Sequence, residues 1–186
     1  MYKRQALDQL INADMKVYSI DVSGITQYSG GFYMYATTAT SIEHIDEKVM
    51  ELIPQVKSFM EGNNITILDK PLTIYNSKDP VNNSAIISSG IPTTSRIVVP
   101  EDSAILCGFL PAYTVIKTRL TGNTSNLDEA WKKTEAYMQE NNYVAAPESS
   151  KFEFYIVGPE DTPNPAEWVT ELYLPVQVEE LPSGSL

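Results

Sequence analysis

Catalytic chemistry has few starting points in this sequence, which holds one histidine, His44, and one cysteine, Cys107. Those two cannot build a Cys/His zinc site, and any serine or cysteine nucleophile would have to take His44 as its base. His44 falls off the apolar stripe of Ile42, Ile45 and Val49, which reads as a partly solvated helix residue. Cys107 falls in the apolar run 104–110, where a small buried hydrophobe explains it better than a nucleophile does. Ser29-Gly30-Gly31 lacks the further glycine and following helix of a phosphate-cradling loop. Carboxylates and phenols remain. Tyrosine, at 11 residues, offers a flat apolar face with a hydroxyl handle, which suits a ligand pocket and is also ordinary strand filling. Glu171 stands out among the carboxylates because it interrupts an otherwise apolar stretch, 168–176. A carboxylate in apolar surroundings either has its pKa raised or keeps its charge by meeting a cation or strong donors. Alternation sends Trp168, Thr170, Leu172 and Leu174 to one face of that strand and Val169, Glu171 and Tyr173 to the other. The competing reading has Glu171 reaching solvent at a sheet edge or pairing with Lys117 or Arg119. Glu153 reads as a solvated strand residue, and Tyr155, on the same face, as a candidate cleft residue.

These residues need elements to hold them, and the elements come in two similar series. The first has an aromatic strand over 32–38, then a helix carrying Ile42, Ile45, Val49, Leu52, Ile53, Val56, Phe59 and Met60 at helical spacing. Thr40-Ser41-Ile42-Glu43 has capping-box form, Asn63-Asn64 supplies a stop, and Pro54 predicts a kink or two short helices. Strands over 72–76 and 84–92 follow. The second series has a strand over 113–120, a capping signal at 125–128, a helix carrying Leu127, Ala130, Trp131, Tyr137 and Met138 and ending at Asn141-Asn142, then strands over 152–157 and 168–176. Met60-Glu61-Gly62-Asn63-Asn64 aligns with Met138-Gln139-Glu140-Asn141-Asn142, and Leu72-Thr73-Ile74-Tyr75 with Phe152-Glu153-Phe154-Tyr155. The expected fold is α+β: a duplicated β-α-β-β repeat with pseudo-twofold symmetry, its antiparallel sheets curved into a barrel-like shell with the helices packed outside. Ser88 takes the place of Glu171 in the first copy.

Composition narrows the partners. The 186 residues carry 13 Lys and Arg against 24 Asp and Glu, a net charge of −11, which excludes phosphate gripping as the main surface task and makes nucleic acid no direct partner. One cysteine allows no intrachain disulfide, as befits a reducing compartment. The longest mostly apolar stretch, 103–113, is broken by Gly108 and Pro111 and is far short of the roughly 20 residues of a membrane span, so no membrane partner is expected.

The closing run Asp161-Thr162-Pro163-Asn164-Pro165-Ala166-Glu167-Trp168-Val169-Thr170-Glu171-Leu172-Tyr173-Leu174-Pro175-Val176, with Phe152-Glu153-Phe154-Tyr155 before it and Leu110-Pro111-Ala112-Tyr113 opening the same series, resembles the GyrI-like family. The resemblance runs from about Ile20 to Val178. Its most specific part is an acidic residue two places before an aromatic and four before a proline on a terminal strand. It implies a hydrophobic cleft holding an acidic residue, and ligands that are amphipathic and often cationic. Some members inhibit DNA gyrase, and a subset hydrolyse strained-ring compounds with a glutamate and aromatics.

Residues and resemblance together give the expectation of a bacterial, cytoplasmic domain that binds a small amphipathic molecule, as an effector-binding or drug-sequestering unit. Glu171, Tyr173, Tyr155, Tyr113, Trp168, Tyr33 and Tyr35 are the expected ligand residues, with no metal and no cofactor. The alternatives are a hydrolase, in which Glu171 is the general base and Tyr155 or Tyr113 the donor to the leaving atom, and an acidic protein inhibitor of a DNA-binding enzyme such as gyrase. The expected organisation is an N-terminal segment over 1–14, one domain over 15–178 with copies at 15–94 and 95–178, and a flexible tail over 179–186. Residues 1–5 read as a sequencing-adapter artefact and 6–13 as a short helix, so an upstream domain is expected to be missing, of START-like lipid-binding type.

Overall fold

The computed structural model describes residues 17–177, so the expected helix over 6–13 and the expected tail lie outside the described residues. Strands β1 (Ser19–Tyr28) and β2 (Gly31–Thr40) are followed by a 3-10 turn (Ile42–His44) and helix α1 (Ile45–Gly62), then by β3 (Leu72–Asp79) and β4 (Ser84–Thr93). β5 (Leu106–Leu110) and β6 (Tyr113–Thr121) lead through a second 3-10 turn into helix α2 (Leu127–Glu140). The two-residue β7 (Val144–Ala145), β8 (Phe152–Val157) and β9 (Val169–Gln177) complete the described chain.

The helices end as the paired asparagines predict. Asn64 and Asn142 adopt φ of 55° and 57°, in the left-handed region that asparagine tolerates better than most residues. That turn lets Ile65 N–H bond Met60 O at 2.8 Å and Tyr143 N–H bond Met138 O at 2.9 Å, satisfying carbonyls at each helix end. The helix starts differ from expectation. Ser41 Oγ lies 2.6 Å from His44 Nδ1 and makes no cap bond, because the chain enters α1 through a 3-10 turn. Asn123, rather than Ser125, caps the second turn by accepting from Ser125 N–H at 2.8 Å. α1 runs through Pro54 as one helix; Pro54 and Met50, whose carbonyl loses its donor, both sit on the exposed side, open to solvent.

The strands form one antiparallel sheet in the order β1-β6-β9-β8-β3-β4-β2-β5, with β7 paired to the end of β9. Both helices pack on the same face. Ile45 and Val49 of α1 and Leu127, Ala130 and Trp131 of α2 share a core with Tyr75, Ile87, Ile116, Leu120, Leu172 and Leu174. Val56 and Met60 of α1 close a second core with Met34 and Ile91, and Cys107 packs half-buried against it, as a small hydrophobe should.

Among the described residues the opposite face carries no helix, yet Leu72, Phe152 and Phe154 there are buried. The sheet buries them by curling. β1 and β8 are separated by two strands, so in a flat sheet they would stand about 14 Å apart, but the Tyr28 and Phe152 rings meet at a centroid distance of 4.9 Å. Leu110, at the end of β5, joins the same cluster from the other side. Gly30, at φ 76°, makes the fold-over possible, since a Cβ there would stand 2.8 Å from Pro111 C and Ala112 N. The expected barrel-like shell is therefore corrected to a curled, open sheet: β1 pairs only with β6 and β5 only with β2, so the two edges stay unbonded to each other.

Candidate functional site

Strand alternation sorts the expected site residues. On β9, Glu171 and Tyr173 stand opposite Phe154 and Phe152 of β8 and opposite Arg119 and Lys117 of β6, all on the helix-free face. Tyr113 pairs with Tyr28, and Tyr33 and Tyr35 of β2 lie at 5.1 Å between ring centroids, so these join the same face. Their centre is aromatic. Tyr173 stacks on Phe152 at 5.2 Å and 3°, meets Phe154 edge-on at 5.7 Å and Tyr28 at 5.8 Å. Two glycines shape the β2 flank. Gly108 faces Tyr33 and Gly90 faces Tyr35; a Cβ on Gly108 would sit 2.7 Å from the Tyr33 ring, which therefore lies down on the sheet. A cavity of about 160 Å³ opens between Tyr28, Tyr33, Leu68, Asp69, Leu110 and Phe154. Burial, then the Asp69 charge, pushes the Tyr28 hydroxyl up to about 12, and burial pushes Tyr33 up to about 12 as well. Both stay neutral donors. A larger hollow of about 440 Å³ between the end of α1 and the 93–100 segment holds none of the expected site residues.

Glu171 sits at the charged edge of this face. Its Oε2 accepts from Lys117 Nζ at 2.9 Å and from the Tyr173 hydroxyl at 2.8 Å, and Oε1 lies 3.7 Å from Arg119 Nη1. The pairing with Lys117 and Arg119 that the sequence left open is thus present. β9 is an interior strand, so a solvated sheet edge is not. Partial burial alone would raise the carboxyl; Lys117, Tyr173 and Arg119 together outweigh it and hold the pKa below its ordinary value. The matching position on β4, Ser88, carries a neutral cluster: its Oγ lies 2.8 Å from Thr37 Oγ1 and accepts from Asn76 Nδ2 at 2.9 Å.

Tyr155 is not brought to this site. It pairs with Thr170 and points to the helix-covered face, so the sheet separates it from Glu171 and the two cannot act on one ligand. Glu153 requires a correction as well: expected in solvent, it is 1% exposed beneath Trp131, because the alternation that exposes Phe152 and Phe154 to the aromatic cluster turns Glu153 under α2. Glu153 Oε1 accepts from the Tyr155 hydroxyl at 2.7 Å and Oε2 from Trp131 Nε1 at 3.4 Å. Burial raises its pKa to about 7 against the opposing hydrogen bonds from Tyr155, Tyr75 and Trp131. Thr73 Oγ1 lies 3.0 Å from the Tyr155 hydroxyl and 2.9 Å from Ser89 Oγ, so a buried polar chain runs under the sheet. Trp168 stands just before β9, its Nε1 donating to Thr162 O at 3.0 Å and tying down the preceding loop. Sequence reasoning missed Tyr28, Phe152 and Phe154 as partners of Tyr173. The signal for the phenylalanines was their i, i+2 spacing in a strand.

Three solved structures share this architecture. The crystal structure of the EcmrR C-terminal domain superposes with a TM-score of 0.73 at 17% identity, covering 87% of this chain and 98% of that one. EcmrR in its DNA complex superposes with a TM-score of 0.70 at 17% identity over 95% of this chain, which spans 63% of that longer chain. SAV2435 bound to tetraphenylphosphonium gives a TM-score of 0.60 at 10% identity, over 82% of this chain and 92% of that one. At these identities the likeness concerns the fold. No curated protein matches the sequence. The family model of the GyrI-like small molecule binding domain matches residues 33–177, a span that contains both helices, Glu171 and most of the aromatic face, and the chain belongs to that family.

Proposed function

We propose that this domain binds a small amphipathic organic molecule on its helix-free face, as the effector-binding or ligand-sequestering unit of a cytoplasmic bacterial system. The observation that carries the reading is the ring cluster of Tyr28, Phe152, Phe154 and Tyr173, which leaves a cavity at one side and ends in a charged trio at the other. Flat rings with neutral hydroxyls grip apolar bodies of varied outline, while polar groups at the margin fix orientation. Two neighbours support it: SAV2435 is bound to tetraphenylphosphonium, and EcmrR, whose C-terminal domain has this fold, is seen in a DNA complex. We also take the two halves to be copies of one unit. The strand order, which reads alike outward from β3 and β8, and the identical hydrogen-bonded ends of α1 and α2 support that duplication.

Nile red, a neutral flat dye whose emission rises in apolar surroundings, tests the site without charge. Emission is expected to rise on titration and to lose most of its gain in Phe154→Ala. A folded protein that leaves the dye unchanged, or a gain indifferent to Phe154→Ala, would remove this face as the site. Incubation of any bound molecule followed by mass spectrometry reads turnover in the same sample, and intact recovery is the expected result.

A further inference from the structure

We propose that the natural ligand carries a carboxylate or another compact anionic headgroup, received by Lys117 and Arg119. The proposal rests on the reading of the aromatic face as a small-molecule site and adds the charge of the molecule that fits it.

The order of exposure supports it. Within the trio the Glu171 side chain is the sheltered member at 12% exposed, whereas Lys117 and Arg119 are 29% and 48% exposed. A molecule arriving from solvent meets two cations first and the carboxylate beneath them. The hydrogen bonding points the same way. Glu171 Oε2 already accepts from Lys117 and Tyr173, and its Oε1 faces Arg119. A cationic headgroup seeking Glu171 must share Oε1 with the Arg119 guanidinium at 3.7 Å and stand beside two like charges, Lys117 and Arg119. An anion displaces nothing. The lysine ammonium has three N–H donors and the guanidinium five, so both keep donors free of Glu171 for a charge-assisted bond to a second carboxylate. Asp21, opposite Arg119 on β1, is exposed and makes no ion pair with it within 4 Å.

The geometry also joins headgroup to body. Lys117 Nζ lies 5.5 Å from the Tyr173 ring centroid, and Tyr173 stacks on Phe152. An aromatic or alicyclic body resting on this cluster therefore brings a carboxylate one or two bonds away within reach of Lys117.

Three probes of one shape test it: 4-biphenylacetate, 4-biphenylacetamide and 2-(4-biphenylyl)ethylammonium, titrated calorimetrically into the full chain at low salt. The carboxylate is expected to bind tightest, by about tenfold or more over the ammonium, and its advantage to fall with added salt. In the double variant Lys117→Met/Arg119→Gln, whose fold is checked by circular dichroism, the carboxylate is expected to lose its advantage over the amide and to fall behind the ammonium, because Glu171 is left without its two cations. Salt dependence in the unmodified protein keeps the test decisive if the double variant does not fold. Tighter binding of the ammonium or amide, with Phe154→Ala still abolishing it, overturns the anionic headgroup and leaves the site standing. Absence of binding by all three probes, or binding indifferent to Phe154→Ala, overturns the site itself.

Discussion

The Tyr155 hydroxyl donates to Glu153 Oε1 at 2.7 Å on the helix-covered side of the sheet, one strand position away from Phe154 on the aromatic side. This buried carboxyl, pKa about 7, links stability to pH. The unfolded chain releases the proton near the ordinary value of 4.5, whereas the folded chain holds it to about 7. Between those values the folded state binds more protons, so the stabilising contribution is complete below the lower value and is lost as pH rises through the upper one, by up to roughly 3 kcal/mol. The melting temperature is expected to fall from pH 5 to pH 8, and Glu153→Gln to flatten that slope. An unchanged slope in Glu153→Gln assigns the fall to another group. Glu171, whose pKa is lowered, contributes stability that is present above the ordinary carboxylate range and lost on acidification, so it acts in a different window.

α2 is tied to the sheet by a hydroxyl pair. Thr134 Oγ1 lies 2.7 Å from Thr118 Oγ1 of β6 and 2.8 Å from Ala130 O, and both threonines are fully buried. Thr134→Val strands the Thr118 hydroxyl without changing the volume, at an expected cost of about 1 to 3 kcal/mol. Thr118→Val/Thr134→Val removes both polar groups and should be less destabilising than the sum of the single changes. Urea unfolding of the four proteins measures the coupling, and strict additivity would count against it.

Phe152 is fully buried between Tyr28 and Tyr173. Phe152→Ala opens a void that the curled sheet cannot fill from a helix, with an expected loss of about 3 to 5 kcal/mol. A loss below about 1 kcal/mol in denaturant titration would mean that the aromatic face is not packed as described.

Gly108 is expected to act on binding more than on stability. The three atoms nearest a Cβ there all belong to the far end of the Tyr33 side chain, which can swing away from the sheet. Gly108→Val should therefore lower Nile red affinity several-fold while shifting the melting temperature less than Phe152→Ala does. Equal dye affinity in Gly108→Val would exclude Tyr33 from the site.

Much of this arrangement was readable from residue order, for reasons that differ by element. The helices announced themselves through the Ile45-Val49-Leu52-Val56 stripe and through asparagines that must turn left-handed. Alternation alone placed Glu171 and Tyr173 opposite Leu172 and Leu174. β1 escaped notice because it is mostly exposed and its alternation breaks at the bulge around Gly24, and β5 because Leu106 to Leu110 read as a plain apolar run. Glu153 was misplaced for a different reason: a strand with Phe152, Phe154 and Glu153, Tyr155 on alternate faces looks amphipathic, and only the position of α2 decides that both faces are covered. The meeting of Tyr28 with Phe152 depends on curvature, which no local pattern encodes.

The unbonded edges of β1 and β5 have a mechanical consequence. In a closed barrel the strand number and stagger fix the radius, so the interior accepts one girth of guest. A scroll has no such constraint. Tightening or loosening its roll alters twist a little at every ladder bond and severs none, and the resistance comes from the rings that touch across the seam. If the face binds as proposed, one sequence could clasp guests of unequal width, with the toll levied on side-chain repacking instead of on the backbone.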